Sequence, residues 1–350
     1  MQARLGYNFD MMRAALCLML AGSTLFAQRS NSDALAQAQL GLNAAQKAKY
    51  REAIEAYERA IAIDPNLPGV YLNLGLAWFK LGKFHEAIAA LDKENARAPG
   101  DQVTTLLAMS YYGLGQFKEA AERLKPIAAA QPDNAELSYL LANCYLWSGQ
   151  YKAAMDVFRG LLRHDPNSAA VHMLLGEAMD AYYRTDDAIV EFEEAAKQAP
   201  KQPDVHFGLG YLFWKQKRYA DAEREFREEL KNDPKHPQAT AYLGDAVMQG
   251  GRKTEAVELL KSAVQLQKNL RIAHLDLGIL YAENRRYEAA VAEFREAVRI
   301  DPKDFAAHYR LARLYQELGR TAEADAEFTE VHKLHQKKDE EPLIKIRRPQ

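Results

Sequence analysis

Asp165-Pro166-Asn167 opens a stretch in which Leu175-Gly176, Ala188, Phe192 and Ala195 follow in turn before Ala199-Pro200-Lys201 closes it. The next stretch repeats the skeleton as Leu209-Gly210, Ala222, Phe226 and Glu229, and Pro234 follows Pro200 at the same interval as Pro200 follows Pro166. A fixed period of about 34 residues means stacked supersecondary units, each too small to bury a core alone. Working outward, Pro65, Pro99, Pro132, Pro166, Pro200, Pro234 and Pro302 keep the same register, with one residue missing between Pro99 and Pro132 and Lys268 where a proline would stand. Pro126 departs from the pattern. Counting from Ala34 gives nine units: 34–67, 68–101, 101–134, 135–168, 169–202, 203–236, 237–270, 271–304 and 305–338.

Each unit carries two helical patterns. In 203–236 the first places His206, Leu209, Gly210 and Phe213 on one stripe, and the second places Tyr219, Ala222, Phe226 and Glu229. Spacings of three, four and seven put one apolar face toward a neighbouring helix. Gly82, Gly115, Gly149, Gly251 and Gly319 mark the turn between the two helices. The proline that follows disfavours helix at the residue before it and separates one unit from the next. An alanine recurs at 53, 87, 120, 154, 188, 222, 256, 290 and 324, with Gly or Ala twelve residues earlier and a large apolar residue four residues later. Small residues facing each other let helix axes approach to the short end of 8–10 Å, and the large one is expected to fill the gap between stacked units.

These residues resemble the tetratricopeptide repeat (TPR) motif, whose Leu-Gly, Tyr, Ala, Phe and Pro places are matched over residues 34–338. The motif's tryptophan place is taken here by Tyr71, His172, His206, His274 or His308. The resemblance implies an all-α fold: antiparallel helix pairs in a right-handed superhelical solenoid with a concave groove that binds rather than catalyses. The family's groove side, carried over residue by residue, comprises Phe79, Tyr112, Tyr139, Asn143, Trp147, Phe207, Tyr211, Trp214 and Lys215 as candidate peptide-binding residues, with Glu177 and Asp180 beside them. Aromatic packing within or between helices is the competing reading for each ring. A subset of the family grips C-terminal carboxylates with groove Lys and Asn residues. The corresponding early places are Ala38, Leu42, Leu72, Leu76, Thr105 and Met109, which argues against that mode.

The chain has 350 residues, 48% of them hydrophobic and 27% charged, and 46 basic residues against 48 acidic ones leave it near neutrality. Such a balance offers no general footprint for nucleic acid. Ahead of the repeats, Arg13 precedes the apolar run 14–27, which ends at Ala27 before Gln28-Arg29-Ser30. That layout is a secretory signal peptide, too short for the roughly 17–25 residues a bilayer span needs. Leu25 is larger than the residue usually found three before a cleavage site, and Leu16 before Cys17 argues against lipidation. The organisation expected is a leader at 1–27, a linker at 28–33 with Ser32 or Asp33 capping the first helix, the solenoid at 34–338 and a tail at 339–350.

Once the leader is removed, Cys144 is the lone thiol and is read as a buried small hydrophobe. Gly208-Leu209-Gly210 and Gly113-Leu114-Gly115 do not follow strands, so they do not read as phosphate loops. His85-Glu86 lacks a second histidine at zinc-protease spacing, and His332 and His335 lack an accompanying ligand set. His172, His206, His274 and His308 share one place and read as packing residues between helices. No Ser/His/Asp arrangement is visible. The expectation is therefore an exported, periplasmic or secreted, non-enzymatic scaffold that binds a protein or peptide segment, without cofactor, metal, nucleic acid or small-molecule substrate. Membrane association stays open. The resemblance suggests a bacterial source and a part in envelope, pilus or secretion assembly. The alternative is an accessory or regulatory component of an enzyme system such as glycosyl transfer.

Overall fold

A computed structural model describes residues 30–340, with side chains from 32 to 335. The expected leader and all but two residues of the tail lie outside the described residues. Eighteen α-helices and no strands are found among those described. None of the helices is long and apolar enough to cross a membrane. The chain divides into two compact units, with the boundary between Leu114 and Gly115.

The first unit holds α1 (Ser30–Gln46), α2 (Tyr50–Ile63), α3 (Val70–Lys80), α4 (Phe84–Arg97) and α5 (Asp101–Gly113). Because α1 begins at Ser30, Ser32 and Asp33 fall inside its first turn rather than capping it. The second unit holds α6 (Phe117–Ala130), α7 (Ala135–Trp147), α8 (Tyr151–His164), α9 (Ala169–Ala181), α10 (Thr185–Gln198), α11 (Val205–Lys215), α12 (Tyr219–Asn232) and α13 (Pro237–Gln249). It continues with α14 (Lys253–Leu266), α15 (Arg271–Glu283), α16 (Tyr287–Ile300), α17 (Phe305–Glu317) and α18 (Thr321–Glu340). Within each unit every helix packs on the one before it and the one after it. The second helices are the amphipathic ones; α8, for instance, buries Tyr151, Ala154, Met155, Phe158 and Leu161 along one stripe. Helix α6 runs through Pro126, whose missing N–H forgoes one helical bond.

The nine alanines of the repeat are all buried. What they frame is a glycine under a large side chain. A Cβ built on Gly176 would stand 2.7 Å from Phe192 Cδ2 and 3.2 Å from the carbonyl of Ala188; on Gly210 it would stand 2.8 Å from Phe226 and 3.3 Å from the carbonyl of Ala222. The large residue therefore seats first on the glycine of its own helix pair. It also reaches the next pair, since a Cβ on Gly208 would collide with Phe192 Cε1. Cys144 is buried as expected, and burial pushes its thiol up to about 12.

The turn inside each pair has one residue in the left-handed region. Glycine supplies it at 82, 115, 149, 251 and 319, but Ala48, Tyr183, Lys217 and Arg285 take the same conformation in the remaining pairs, at φ between 57° and 63°. The turn closes with a backbone bond from the following residue, as in Arg184 N to the Met179 carbonyl (2.9 Å) and Arg286 N to the Tyr281 carbonyl (2.8 Å). This is the Schellman arrangement, and its bonds hold non-glycine residues where about 1 kcal/mol is lost.

The four histidines do more than pack. Nδ1 of His172, His274 and His308 lies 2.6 Å from Glu191, Glu293 and Glu327 respectively, and that of His206 lies 2.8 Å from Glu225. Nε2 of His172, His274 and His308 faces the carbonyl of Pro166, Lys268 and Pro302 at 3.0, 2.9 and 3.2 Å. A neutral imidazole has one N–H, so at His274 the two flanking acceptors are both satisfied only by the imidazolium. Glu225 raises the His206 pKa. At His274 burial pulls downward, but Glu293 and the Lys268 carbonyl outweigh it and the pKa is raised.

Two outcomes are expected. Gly210→Ala should cost about 1–3 kcal/mol, because the added methyl meets both a ring and an immovable carbonyl. Gly100→Ala, whose Cβ would meet nothing within 4 Å, should be near neutral. Hydrogen exchange resolved by segment reads both, and the increase for Gly210→Ala should centre on α11 and α12. As for pH, a raised histidine pKa gives stabilisation that is full below the unfolded value of about 6.5 and lost as pH rises through the folded value. Hence His274→Gln should lower stability by about 1.5 kcal/mol or more at pH 5.5, with the deficit shrinking by pH 8.5 in thermal melts.

Candidate functional site

The rows of first helices carry the candidate binding residues, and the structure gathers only some of them. In the first unit, Phe79 is half-buried, 5.6 Å from the Phe84 ring, and packs against the Leu91–Leu106–Leu107 cluster; Tyr112 is half-buried on α5. In the second unit, α7 presents half-buried Tyr139 and Trp147, with the Trp147 ring 6.4 Å from Phe117 of α6. Asn143 is buried and donates its amide to the Tyr139 carbonyl at 2.8 Å, one turn back on the same helix. Lys215 is exposed on α11 and bonds Asp180 of α9 at 2.5 Å; Thr185 donates to the same carboxylate at 2.8 Å. Glu177 is half-buried on α9.

Phe207, Tyr211 and Trp214 do come together, on one face of α11. Tyr211 and Trp214 stack with centroids 5.8 Å apart and planes 21° from parallel. Tyr242 of α13 stands edge-on to both, at 5.4 Å from Tyr211 and 5.0 Å from Trp214. Phe207 lies 6.0 Å from Tyr242 and 4.9 Å from His236. Offset and edge-to-face pairs at these separations are the favourable geometries of aromatic quadrupoles. All four aromatic side chains keep part of their surface in solvent. The cluster thus offers a rigid apolar platform with phenol and indole groups at its margin.

The platform is anchored beneath by acids that sequence reasoning overlooked. The Trp214 indole N–H donates to Asp245, whose other oxygen accepts from Gln249 at 3.0 Å. Asp276 of α15 is 4% exposed, and its Oδ2 has no hydrogen-bond partner. Burial, then the neighbouring Asp245, push its pKa well above the usual carboxylate range, while Arg271 and Arg310 pull the other way. Burial and the neighbouring carboxylate together favour the uncharged form of Asp276. Burial, then Tyr211, hold the Tyr242 hydroxyl up at about 12. A periodic signal was available: Asp245 stands one period after Tyr211, and Asp276 one period after Tyr242, in the same register places.

Asp204, Glu229 and His236 bring donor atoms within 4.8 Å of one another. Each is already engaged in capping. Glu229 accepts from the backbone N–H of Asp204 (3.2 Å) and of Phe207 (3.0 Å), closing the start of α11. His236 Nδ1 accepts from Ala239 N at 3.0 Å, so its proton sits on Nε2, which donates to Asp204 at 2.9 Å. With Nδ1 accepting and Nε2 protonated, the ring has no lone pair to give a metal. The trio fixes Phe207 and the helix start.

Asp276→Asn tests the raised pKa of Asp276. A carboxyl with a raised folded pKa gives stability that is full below the unfolded value of about 3.9 and lost as pH climbs toward the folded value. An amide keeps the shape and can donate to Asp245 without ionising. The variant should gain about 1–3 kcal/mol locally, more at pH 8 than at pH 5, read from melting and from exchange in α13 and α15. Equal destabilisation at both pH values would show that Asp276 is ionised in the fold.

Comparison with known proteins places this architecture. A family model described as tetratricopeptide repeat matches residues 111–178 and 280–341, a second so described matches 175–237 and 207–269, and a TPR repeat model matches 45–82. Among solved structures, PilF of Pseudomonas aeruginosa is similar at 20% identity and TM-score 0.53, over 59% of this chain and 93% of that one. The Cut9–Hcn1 hetero-tetramer of the APC/C is similar at 16% identity and TM-score 0.55, over 76% of this chain and 52% of that one. At such identities the likeness concerns the fold. With the family models spanning most of the described residues, the chain belongs to the tetratricopeptide repeat family.

Proposed function

We propose that this protein is a non-enzymatic scaffold working outside the cytoplasm, which binds an extended segment of a protein partner along the first helices of its second unit. The observation that carries the reading is the half-exposed cluster of Phe207, Tyr211, Trp214 and Tyr242, spread over two successive first helices. Tyr and Trp supply large, stiff contact area with a polar handle, which is why they dominate binding hot spots. Tyr139 and Trp147 on α7 extend the candidate surface within the second unit. Lys215 and Asn143 each hold one internal bond, to Asp180 and to the Tyr139 carbonyl. Export rests on Arg13, the apolar run and Ala27 alone. A role in assembling envelope, pilus or secretion machinery is the context such an exported scaffold would serve.

Capture on the immobilised chain lacking residues 1–27, with envelope extract and mass-spectrometric identification, finds the partner. Tyr211→Ala should then weaken its capture by about ten-fold or more, with helical circular dichroism and melting close to wild type. Normal capture, or loss that merely follows unfolding, would remove the cluster from the binding surface. Protein recovered from outside the cytoplasm should begin near Gln28. Recovery solely from cytosol with residues 1–27 intact would defeat the export reading.

A further inference from the structure

Beyond the aromatic cluster, the row of first helices ends in a charged cleft. Helices α15 and α17 make little direct contact, unlike α13 and α15, and between them opens a cleft of about 440 Å³. Ile279 and Ala282 of α15 give it a small apolar wall, and Arg310 and Arg313 of α17 line the other side. These two arginines continue the register of the cluster. Arg310 stands one period after Asp276, and Arg313 stands one period after Ile279 and two after Asp245. Both are exposed, and neither guanidinium makes a hydrogen bond or ion pair among the described residues.

That last point separates them from most arginines of the second unit. Arg218, Arg227, Arg252, Arg271, Arg299 and Arg320, for example, are all paired with carboxylates. The acids that line the cleft offset the pair only in part. Glu283 is paired with Lys253 at 3.0 Å, and Glu317, which keeps its charge while accepting from the Tyr287 hydroxyl at 3.1 Å, forms no ion pair with either arginine, so the cleft stays positive on balance. Asp276 interacts with Arg310 from below, but its burial and Asp245 favour the uncharged acid. Two guanidiniums one helical turn apart, facing one cleft with their donors unspent, form a fork for carboxylates.

We propose that the cleft between α15 and α17 binds acidic side chains of the partner segment, with Arg310 and Arg313 as the recognising pair. This rests on the reading of the first-helix row as a binding surface and adds the chemistry of its occupant. The segment would carry Asp or Glu side chains at the end that meets α17, and its more apolar part would lie toward Tyr211 and Trp214. Charge complementarity is the ground for choosing this occupant, and the absence of an internal ion-pair partner for either arginine among the described residues is the ground for expecting one from outside.

The test uses the full described chain and three fluorescein-labelled probes in anisotropy titrations at low salt. These are hexaglutamate with an amidated C-terminus, hexaglutamine with an amidated C-terminus, and hexaglutamine with a free C-terminal carboxylate. The amidated hexaglutamate should bind, should weaken steeply between about 50 and 200 mM salt as expected for ionic contacts, and should lose about ten-fold or more in affinity for Arg310→Gln/Arg313→Gln. Both residues are exposed, so the variant's melting should match wild type. Equal binding of hexaglutamate to wild type and variant would overturn the proposal, since other cations would then account for it. Binding of the amidated hexaglutamine as tightly as hexaglutamate would overturn it too. Binding of only the free-carboxylate probe would overturn it in favour of a chain terminus. The label is common to all three probes and their peptides carry no aromatic residue, so the difference between hexaglutamate and hexaglutamine stands apart from the Tyr211→Ala result.

Discussion

In every helix pair that has a glycine at the packing place of its first helix, a large side chain from the second helix lies flat on that glycine. Tyr57 covers Gly41, Leu91 covers Gly75, Phe192 covers Gly176, Phe226 covers Gly210, Leu260 covers Gly244 and Phe294 covers Gly278. Built Cβ atoms would stand 2.5 to 2.8 Å from those side chains, inside van der Waals contact. The missing methyl is what lets a bulky residue be buried between two close helices without pushing them apart. In several pairs the alanine four residues before the bulky one completes the seat with its backbone carbonyl. Once this contact is made, the directions of both helices are set, and with them the side of the first helix that stays outside the pair. The aromatic cluster and the arginine cleft both lie on that remaining side.

A second layer of interactions is electrostatic and has a consistent sign. His172, His206, His274 and His308 each hold a carboxylate on the second helix of the same pair, and three of them also hold a carbonyl of the preceding loop. Asp276 and Asp245 are buried near each other between first helices. At His206 and His274 the carboxylate partners raise the imidazole pKa, and burial raises that of Asp276, so the fold favours the protonated form of these three groups. These places are accordingly best braced on the acid side of neutrality.

How much of this could be read from residues follows from which features are periodic in kind. The packing glycines, alanines and large apolar residues recur as types, so the helix pairs and their order were legible, as was the burial of Cys144. The turn was legible only where glycine marks it. Ala48, Tyr183, Lys217 and Arg285 adopt the same left-handed conformation because backbone bonds hold them there, and no residue type announces that. The histidines were legible as packing residues, but their glutamate partners lie on the following helix, beyond any single-helix spacing. Of the candidate surface, Phe207, Tyr211 and Trp214 meet as helical spacing allows. Tyr242, Asp245 and Asp276 were missed because they match in position along the period while differing in chemistry. Asn143 and Lys215 look like ligand-reaching groups in sequence, and the bonds they make to the Tyr139 carbonyl and to Asp180 were not legible there.

The histidine clamp has a bearing on how such a chain can change length. Each full clamp draws its carbonyl from the loop just before the histidine and its carboxylate from the helix just after, so all its parts travel within one stretch shorter than the repeat period. A duplication or deletion of whole periods would carry the bracing intact, with no charge stranded at the new junction. The row of first helices has the opposite property, because the Trp214–Asp245 and Lys215–Asp180 bonds each cross from one pair to the next. Copying a period would therefore preserve the framework while scrambling the face of the first helices, which leaves the two free to diverge on separate evolutionary schedules.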